Sequence, residues 1–293
     1  MKLVVLSRSR RISSTKRLVE AARARGHHIS VINPLDVQLY LDSRQVELLY
    51  NRKRVGRVDV VIPRIAASVA SYGLPVVDQF ESRGAKLLNS ARAIGQSRNP
   101  ARCLQLLASN GVAIPATVMS RDSKELLAML GLVGGLPVLV KLVQGAERRG
   151  LMVCESEQSL EASLEAVLGL GHEIVMQEYV KRAGRDVRVF VVGGKTIAAV
   201  TRVPKPGRLA RTLSRIARLE AIEPSEELRH TAERAATICG LEVCAVDVLE
   251  LKKSAPKVFE VNASPALPEM ERATGVDLAT AIIARAEVVA RGS

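Results

Sequence analysis

Residues 1–90 alternate between short apolar runs and stretches of helical length, and that alternation restricts the fold more than any other feature of the chain. Leu3–Leu6, Ile29–Ile32, Val58–Ile62 and Lys86–Leu88 read as strands. Between the first two lies Ser13–Arg25, a helical stretch with Ser13 or Ser14 as the expected cap and Gly26 as its stop. Strands separated by helices of this length pair in parallel, because tight hairpins join only antiparallel neighbours. Val46–Val55 reads as an inserted hairpin turning at Asn51-Arg52. A small α/β domain over residues 1–90 follows.

The rest of the chain changes character. Asn99-Pro100 reads as a helix start, with Asn99 capping and Pro100 in the first turn, and that helix runs to Asn110-Gly111. Ser123–Leu130 and Ser156–Leu168 read as helices around the strands Val138–Val143, Leu151–Cys154 and Glu173–Glu178. Farther on, Val187–Val192 and Lys195–Val200 flank Gly193-Gly194, a two-residue hairpin signal. A basic connector runs from Val203 to about Ala221, then a helix from Ser225 to Cys239. Val243–Leu251 and Lys257–Asn262 pair as strands, and Asp277–Val289 closes as a helix. The fold class is α/β followed by α+β, in three parts: 1–90, 91–177 and 178–293.

Composition narrows the function. With 43 Lys and Arg against 30 Asp and Glu, the net charge of +13 calls for an anionic partner such as phosphate, nucleic acid or an acidic segment. Aromatic residues are only 2%, too few for a surface on which bases stack. No apolar run approaches the roughly 20 residues of a membrane helix. Leu3–Leu6 is too short for a signal-peptide core and is followed by Arg8, Arg10 and Arg11, so the expectation is a cytoplasmic protein with no membrane partner. Cys103, Cys154, Cys239 and Cys244 show no C-x-x-C spacing and read as reduced buried thiols rather than a zinc site.

Two features carry chemistry. Glu260 and Asn262 stand two apart on one strand and so share a face, and a tight hairpin can bring Asp247 alongside. Adjacent carboxylates repel unless a cation lies between them, and oxygen-only ligands suit Mg²⁺. The alternative is an edge strand with a polar solvent face. On this reading Asp247→Asn or Glu260→Gln abolishes turnover and leaves the fold intact. Lys141 stands alone in the apolar run Val138–Val143, where a buried lysine needs an anion such as a nucleotide phosphate. The loop Gln144–Gly150 that follows lacks the Gly-Lys-Ser/Thr of a P-loop, and no G-x-G-x-x-G follows the first strand. No Ser-His-Asp or Cys-His arrangement is apparent.

These residues resemble a known family. Val140–Val143, Gln177–Val180, Asp186-Val187-Arg188, Val246–Leu249 and Glu260–Pro265 stand in the order and spacing of ATP-grasp ligases, and most resemble the RimK-like branch. Leu6-Ser7-Arg8, Val61–Ile65 and Ala273–Asp277 extend the resemblance over nearly the whole chain.

The resemblance implies an ATP-grasp fold behind an N-terminal parallel-sheet domain, and an ATP-dependent carboxylate–amine ligase acting through an acylphosphate. ATP would lie with its adenine against Gln177, Glu178, Tyr179 and Val180, with Lys141 on phosphate and Asp186 near the ribose. Asp247, Glu260 and Asn262 would hold Mg²⁺, with Mn²⁺ as an alternative ion. Arg188 and Arg202 fall where such enzymes place cations for the substrate carboxylate or the transferring phosphoryl group, and Arg211 would reach the nucleotide. The implied partners are an amino acid, an acidic peptide or small-molecule acceptor, a ribosomal protein as in that branch, and further copies in a homo-oligomer. Three departures stand out: Pro100 where the family has a lysine, Gly145–Gly150 in place of a Gly-Thr-Gln-Gly-like loop, and Ala210–Ala217 in place of Arg-Ser-Asn-x-x-x-Gly-Gly. They keep open a second reading, a nucleotide-binding module that has lost catalysis.

Overall fold

β1 (Lys2–Leu6) and β2 (His28–Ile32) are followed by a three-stranded antiparallel ribbon, β3 (Val37–Leu41), β4 (Val46–Tyr50) and β5 (Lys53–Arg54), and then by β6 (Val60–Pro63) and β7 (Lys86–Leu87). These belong to a computed structural model that describes residues 1–142, 151–169, 173–180, 184–204, 216–251 and 254–292. β1, β2, β6 and β7 pair in parallel in the order β2-β1-β6-β7, as the alternation predicts. The central strands β1 and β6 are apolar on both faces from Leu3 to Leu6 and from Val60 to Pro63, because both faces are covered. α1 (Ser13–Ala24) packs on one side through Leu18, Ala21 and Ala22, and α2 (Ala70–Ser82) on the other through Val76, Val77 and Phe80.

The expected cap of α1 is corrected. Ile12 holds the cap position with no side-chain hydrogen bond, while the buried Ser14 hydroxyl accepts the Leu267 N–H at 3.0 Å. A contact across the whole chain has taken the side chain that local pattern assigned to the helix end.

α3 (Ala91–Arg98) leads into α4 (Pro100–Ser109), where the Asn99 side chain accepts from the Arg102 N–H as expected. Next come β8 (Thr117–Ser120), α5 (Ser123–Ala128), β9 (Val138–Leu142), β10 (Leu151–Cys154), α6 (Glu157–Gly169) and β11 (Ile174–Glu178). The four strands form an antiparallel sheet, β10-β9-β11-β8, whose core with α5 and α6 is its own.

The last sheet is built from β12 (Gly184–Val192), β13 (Lys195–Pro204), β14 (Ile216–Ala221), β15 (Val243–Leu251) and β16 (Lys257–Asn262), in the order β14-β13-β12-β15-β16. β12 and β13 turn at Gly193 and Gly194, both at positive φ, and a Cβ on Gly193 would lie 2.8 Å from Arg285. The basic connector is strand at both ends: β13 runs on to Pro204, and β14 returns beside it with Arg202 opposite Leu219. α7 (Glu226–Ile238), α8 (Pro268–Thr274) and α9 (Leu278–Arg291) complete the order.

The N-terminal sheet does not stand alone. Leu3, Val5 and Ile62 share one core with Phe190, Val200 and Ala245 of the last sheet and with Leu278, Ile282 and Ile283 of α9. Buried Asn89 ties the two together, donating to the Val243 and Ala263 carbonyls and accepting from the Glu242 and Val243 amides at 2.8–3.2 Å.

A charged cluster closes the same interface. Glu287 of α9 accepts from Arg25 Nε and Nη2 at 2.8 and 2.7 Å, and His27 Nε2 lies 2.7 Å away. The Arg25 guanidinium foremost, with help from His27, holds the Glu287 carboxyl at about 2 against the opposing push of burial. A depressed carboxyl stabilises the fold fully above its ordinary value of 4.5 and loses that contribution as pH falls toward 2. Glu287→Gln should therefore lower the melting temperature near neutral pH, and the gap should close on acidification. A gap that stays constant would show that the pair adds no acid-labile stability.

Candidate active site

The strand pair β15–β16 supplies the acidic side of the site. Asp247 stands opposite Glu260, as the spacing predicts, and Ala245 opposite Asn262. Between Asp247 and Val248 the register shifts, so that Phe259 is an extra residue on β16. Such a bulge breaks the alternation and re-aims side chains. Phe259, Glu260 and Asn262 consequently all line one cavity of about 700 Å³, within the range of small-molecule sites.

The three four- and five-stranded sheets all contribute to this cavity. The carboxyl ends of β1 and β6 lead into Ser7, Arg8 and Arg64, the position where open parallel sheets bind ligands. Arg64 Nη2 donates to the Pro265 carbonyl at 2.7 Å. The central sheet brings Lys141, Gln177 and Glu178, and the last sheet Asp186 and Arg202. Arg98, at the end of α3, and Pro100 complete that part of the wall.

Behind the wall lies a buried ion network. Asp247 is fully buried, and its Oδ1 and Oδ2 accept from Arg188 Nε and Nη2 at 2.7 and 2.8 Å. Arg202 Nη1 donates to Asp247 Oδ2 at 2.7 Å, while its Nε and Nη2 reach Asp186 Oδ1. Strand order explains the meeting, since Arg188, Asp247 and Glu260 are successive cross-strand neighbours on β12, β15 and β16. Alternating charges of this kind neutralise a buried carboxylate, which alone would be strongly unfavourable.

Lys141 and Arg202 both lie over the Phe259 ring, 5.5 and 5.6 Å from its centre. Burial pushes the Lys141 ammonium below its ordinary value, with Glu260 and Asp247 pulling the other way. A desolvated cation beside carboxylates, at the edge of a cavity, is suited to an anionic ligand.

The residues expected from sequence divide as follows. Lys141, Gln177, Glu178, Asp186, Arg202, Glu260 and Asn262 are on the cavity wall. Arg188 and Asp247 lie directly behind it, joined to it through Arg202. Tyr179 and Val180 are half-buried and do not line the cavity. Gln177 is buried with its amide on Thr117 Oγ1 at 2.9 Å. Arg211, the loop Gln144–Gly150 and the stretch 205–215 lie outside the described residues. Glu260 and Asn262 bring hard oxygen donors, the kind suited to Mg²⁺, to the wall, with the Asn262 amide oriented by the Ser264 N–H at 2.8 Å, whereas the Asp247 expected beside them lies behind the wall with its carboxylate on Arg188 and Arg202. All four cysteines are buried, and Cys103 and Cys239 touch at 4.0 Å between sulfurs.

Comparison with known proteins decides the family. Residues 97–286 match the RimK-like ATP-grasp domain, and residues 1–94 match the RimK pre-ATP-grasp domain. The chain belongs to the RimK-like ATP-grasp family. It is therefore an ATP-dependent ligase by descent. A probable alpha-L-glutamate ligase of Pseudomonas paraeruginosa is 43% identical over 284 residues, covering 97% of this chain and 94% of that protein. One of Thioalkalivibrio sulfidiphilus is 40% identical over 292 residues, covering 99% and 97%. Among solved structures, the ATP-grasp ligase PsnB complexed with a precursor variant, Mg and ADP shares the fold with a TM-score of 0.75 at 23% identity, covering 98% of each chain. The RimK domain ATP-grasp protein of Sphaerobacter thermophilus does so at 0.73 and 20%, covering 99% of each.

Phe259, Arg64 and Arg98 escape a reading by spacing. Period-two alternation puts Phe259 on the face opposite Glu260, and only the bulge brings both to one wall. Arg98 comes from another part of the fold and carries no local signal, whereas Arg64 belongs to the Val61–Ile65 stretch of the family resemblance.

Proposed function

We propose that this RimK-like ligase joins a carboxylate to an amine at the expense of ATP, adding glutamate or a similar amino acid to a peptide C-terminus or small acidic acceptor. The observation that carries this is the convergence of Lys141, Arg202, Glu260 and Asn262, from two sheets, on one cavity. An attacking carboxylate oxygen and a nucleotide phosphate are both anionic, and bringing them together needs fixed cations more than a protein nucleophile. Lys141 and Arg202 provide them, held over Phe259 and by Asp186 and Asp247. Asp247, Glu260 and Asn262 would hold Mg²⁺, which when bound neutralises phosphate charge. The carboxylate oxygen attacks the γ-phosphorus and ADP leaves. The amine then attacks the acylphosphate carbon, phosphate leaves and the amide remains.

The adenine is assigned to the segment Gln177–Val180, of which Gln177 and Glu178 are on the wall, and Arg211 to the nucleotide's charged end. Arg188 acts through Asp247. The same reading divides the chain at about residues 90 and 177 and places it in the cytoplasm, where ATP is abundant. A ribosomal protein tail is one acceptor of the required kind, and the precursor peptides bound by PsnB make a peptide acceptor reasonable.

One observation favours the second reading, a nucleotide-binding module without turnover: Pro100 occupies the cavity wall where the family resemblance leads to a lysine. A single experiment separates the two. The protein is incubated with ATP, Mg²⁺, each amino acid and a mixture of acidic peptides, and ADP and peptide masses are followed. ADP formation that requires both amino acid and acceptor, with a product heavier by one residue, is the expected result. Nucleotide binding without such a product under any combination would overturn it.

A further inference from the structure

The end of the central sheet meets the start of β16 through a single side chain. Glu178 Oε2 accepts the Ala116 N–H at 3.0 Å and the Lys257 ammonium at 2.7 Å. The backbone is locked as well, because the Glu178 N–H donates to the Ala116 carbonyl at 2.8 Å. Lys257 is itself held in place, since the next residue, Val258, donates to the Ala113 carbonyl at 2.8 Å. Both donors converge on one oxygen. Among the described residues, no donor reaches Oε1, and Glu178 is part of the cavity wall.

We propose that Lys257 is a positioning residue for base recognition: with the Ala116 amide it pins Oε2 of Glu178, so that Oε1 accepts from a 6-aminopurine and refuses a 6-oxopurine. The proposal rests on the reading above that the adenine lies against Glu178. An ionised carboxylate only accepts hydrogen bonds, whereas a protonated one can also donate and would tolerate an oxo group. Burial works to push the Glu178 carboxyl up, and the Lys257 ammonium leads the Ala116 amide in more than reversing that push. A site that offers only an acceptor leaves a 6-oxo group facing a carboxylate, a mismatch that discriminates strongly between otherwise similar ligands.

The test uses the full chain and two probes, ADP and inosine diphosphate, its 6-oxo counterpart, each titrated with Mg²⁺ present. The unsubstituted protein should bind ADP at least about tenfold more tightly, the factor expected when one charge-assisted hydrogen bond is lost. Lys257→Met should narrow that ratio severalfold, because the Glu178 carboxylate is then no longer held in place, with its fold checked by thermal melting, and Lys257→Arg should restore the preference. A purely structural ion pair would weaken both nucleotides alike and leave the ratio unchanged. That result would overturn the role of Lys257 while leaving Glu178 as the base reader. Equal binding of the two nucleotides by the unsubstituted protein would overturn both.

Discussion

Asp247→Asn is expected to lower acceptor-dependent ADP formation by at least about 10²–10³-fold, the cost of removing one preorganised electrostatic group from a reaction centre. It is also expected to destabilise the protein by about 3–5 kcal/mol, the usual cost of breaking a buried ion pair from one side. Read from spacing, the substitution leaves the fold intact, and the burial of Asp247 corrects that expectation. Its carboxylate is fully buried and accepts three guanidinium N–H groups, two from Arg188 and one from Arg202. Asparagine keeps the shape but leaves Arg188 and the buried Arg202 short of a negative charge. Denaturant titration reads the stability, and ADP release at a temperature where the variant is folded reads the chemistry. Full activity would remove Asp247 from the site. Unchanged stability would mean that the network is not buried as described.

Lys141→Met should have the opposite profile, with nucleotide binding lost and stability retained. A charge-assisted hydrogen bond to phosphate contributes about 1.5–3 kcal/mol, so MgADP affinity should fall roughly ten- to a hundredfold. The folded protein disfavours the charged form of Lys141, chiefly through burial, relative to its ordinary value of 10.5. Below the lowered value the charged lysine costs stability, and that cost fades as pH rises toward 10.5. The nucleotide-free variant should accordingly melt at or above the temperature of the unsubstituted protein at neutral pH, with the difference shrinking in alkali. Unchanged MgADP affinity would take Lys141 out of the phosphate site. A large drop in melting temperature would show that its packing over Phe259 and its attraction to Glu260 outweigh its desolvation.

Much of the chain is readable by pattern, and the exceptions share a cause. α2 contains Gly73 and Pro75, residues unfavourable in a helix interior. The helix persists because Val76, Val77 and Phe80 are buried against the N-terminal sheet and because Gly73 lies where a Cβ would come within 2.9 Å of Ile65. β3 pairs with β4, extending the hairpin expected around Asn51-Arg52, and its exposed Tyr40 and Leu41 hide the alternation of a half-buried strand. β14 emerges from a run of basic residues and becomes a strand through pairing with β13. In each case packing or pairing with a distant segment outweighs the local signal.

The chain's own pattern is sufficient for the parallel order of the first sheet, the Gly193-Gly194 turn, the Asn99 cap, and the pairing of Asp247 with Glu260. Those features arise from alternation, cap chemistry and turn geometry, which act over a few residues or across one short hairpin. The neutralisation of Asp247, the arrival of Phe259 on the same wall as Glu260 and the pinning of Glu178 by Lys257 were decided by the tertiary structure. They join residues 45, 59 and 79 positions apart, or depend on one bulge, and hydrogen bonds and charge pairs have a reach of only a few ångströms. Strand order within the last sheet brings Arg188, Arg202 and Asp247 within that reach, and the meeting of the central sheet with β16 does so for Glu178 and Lys257.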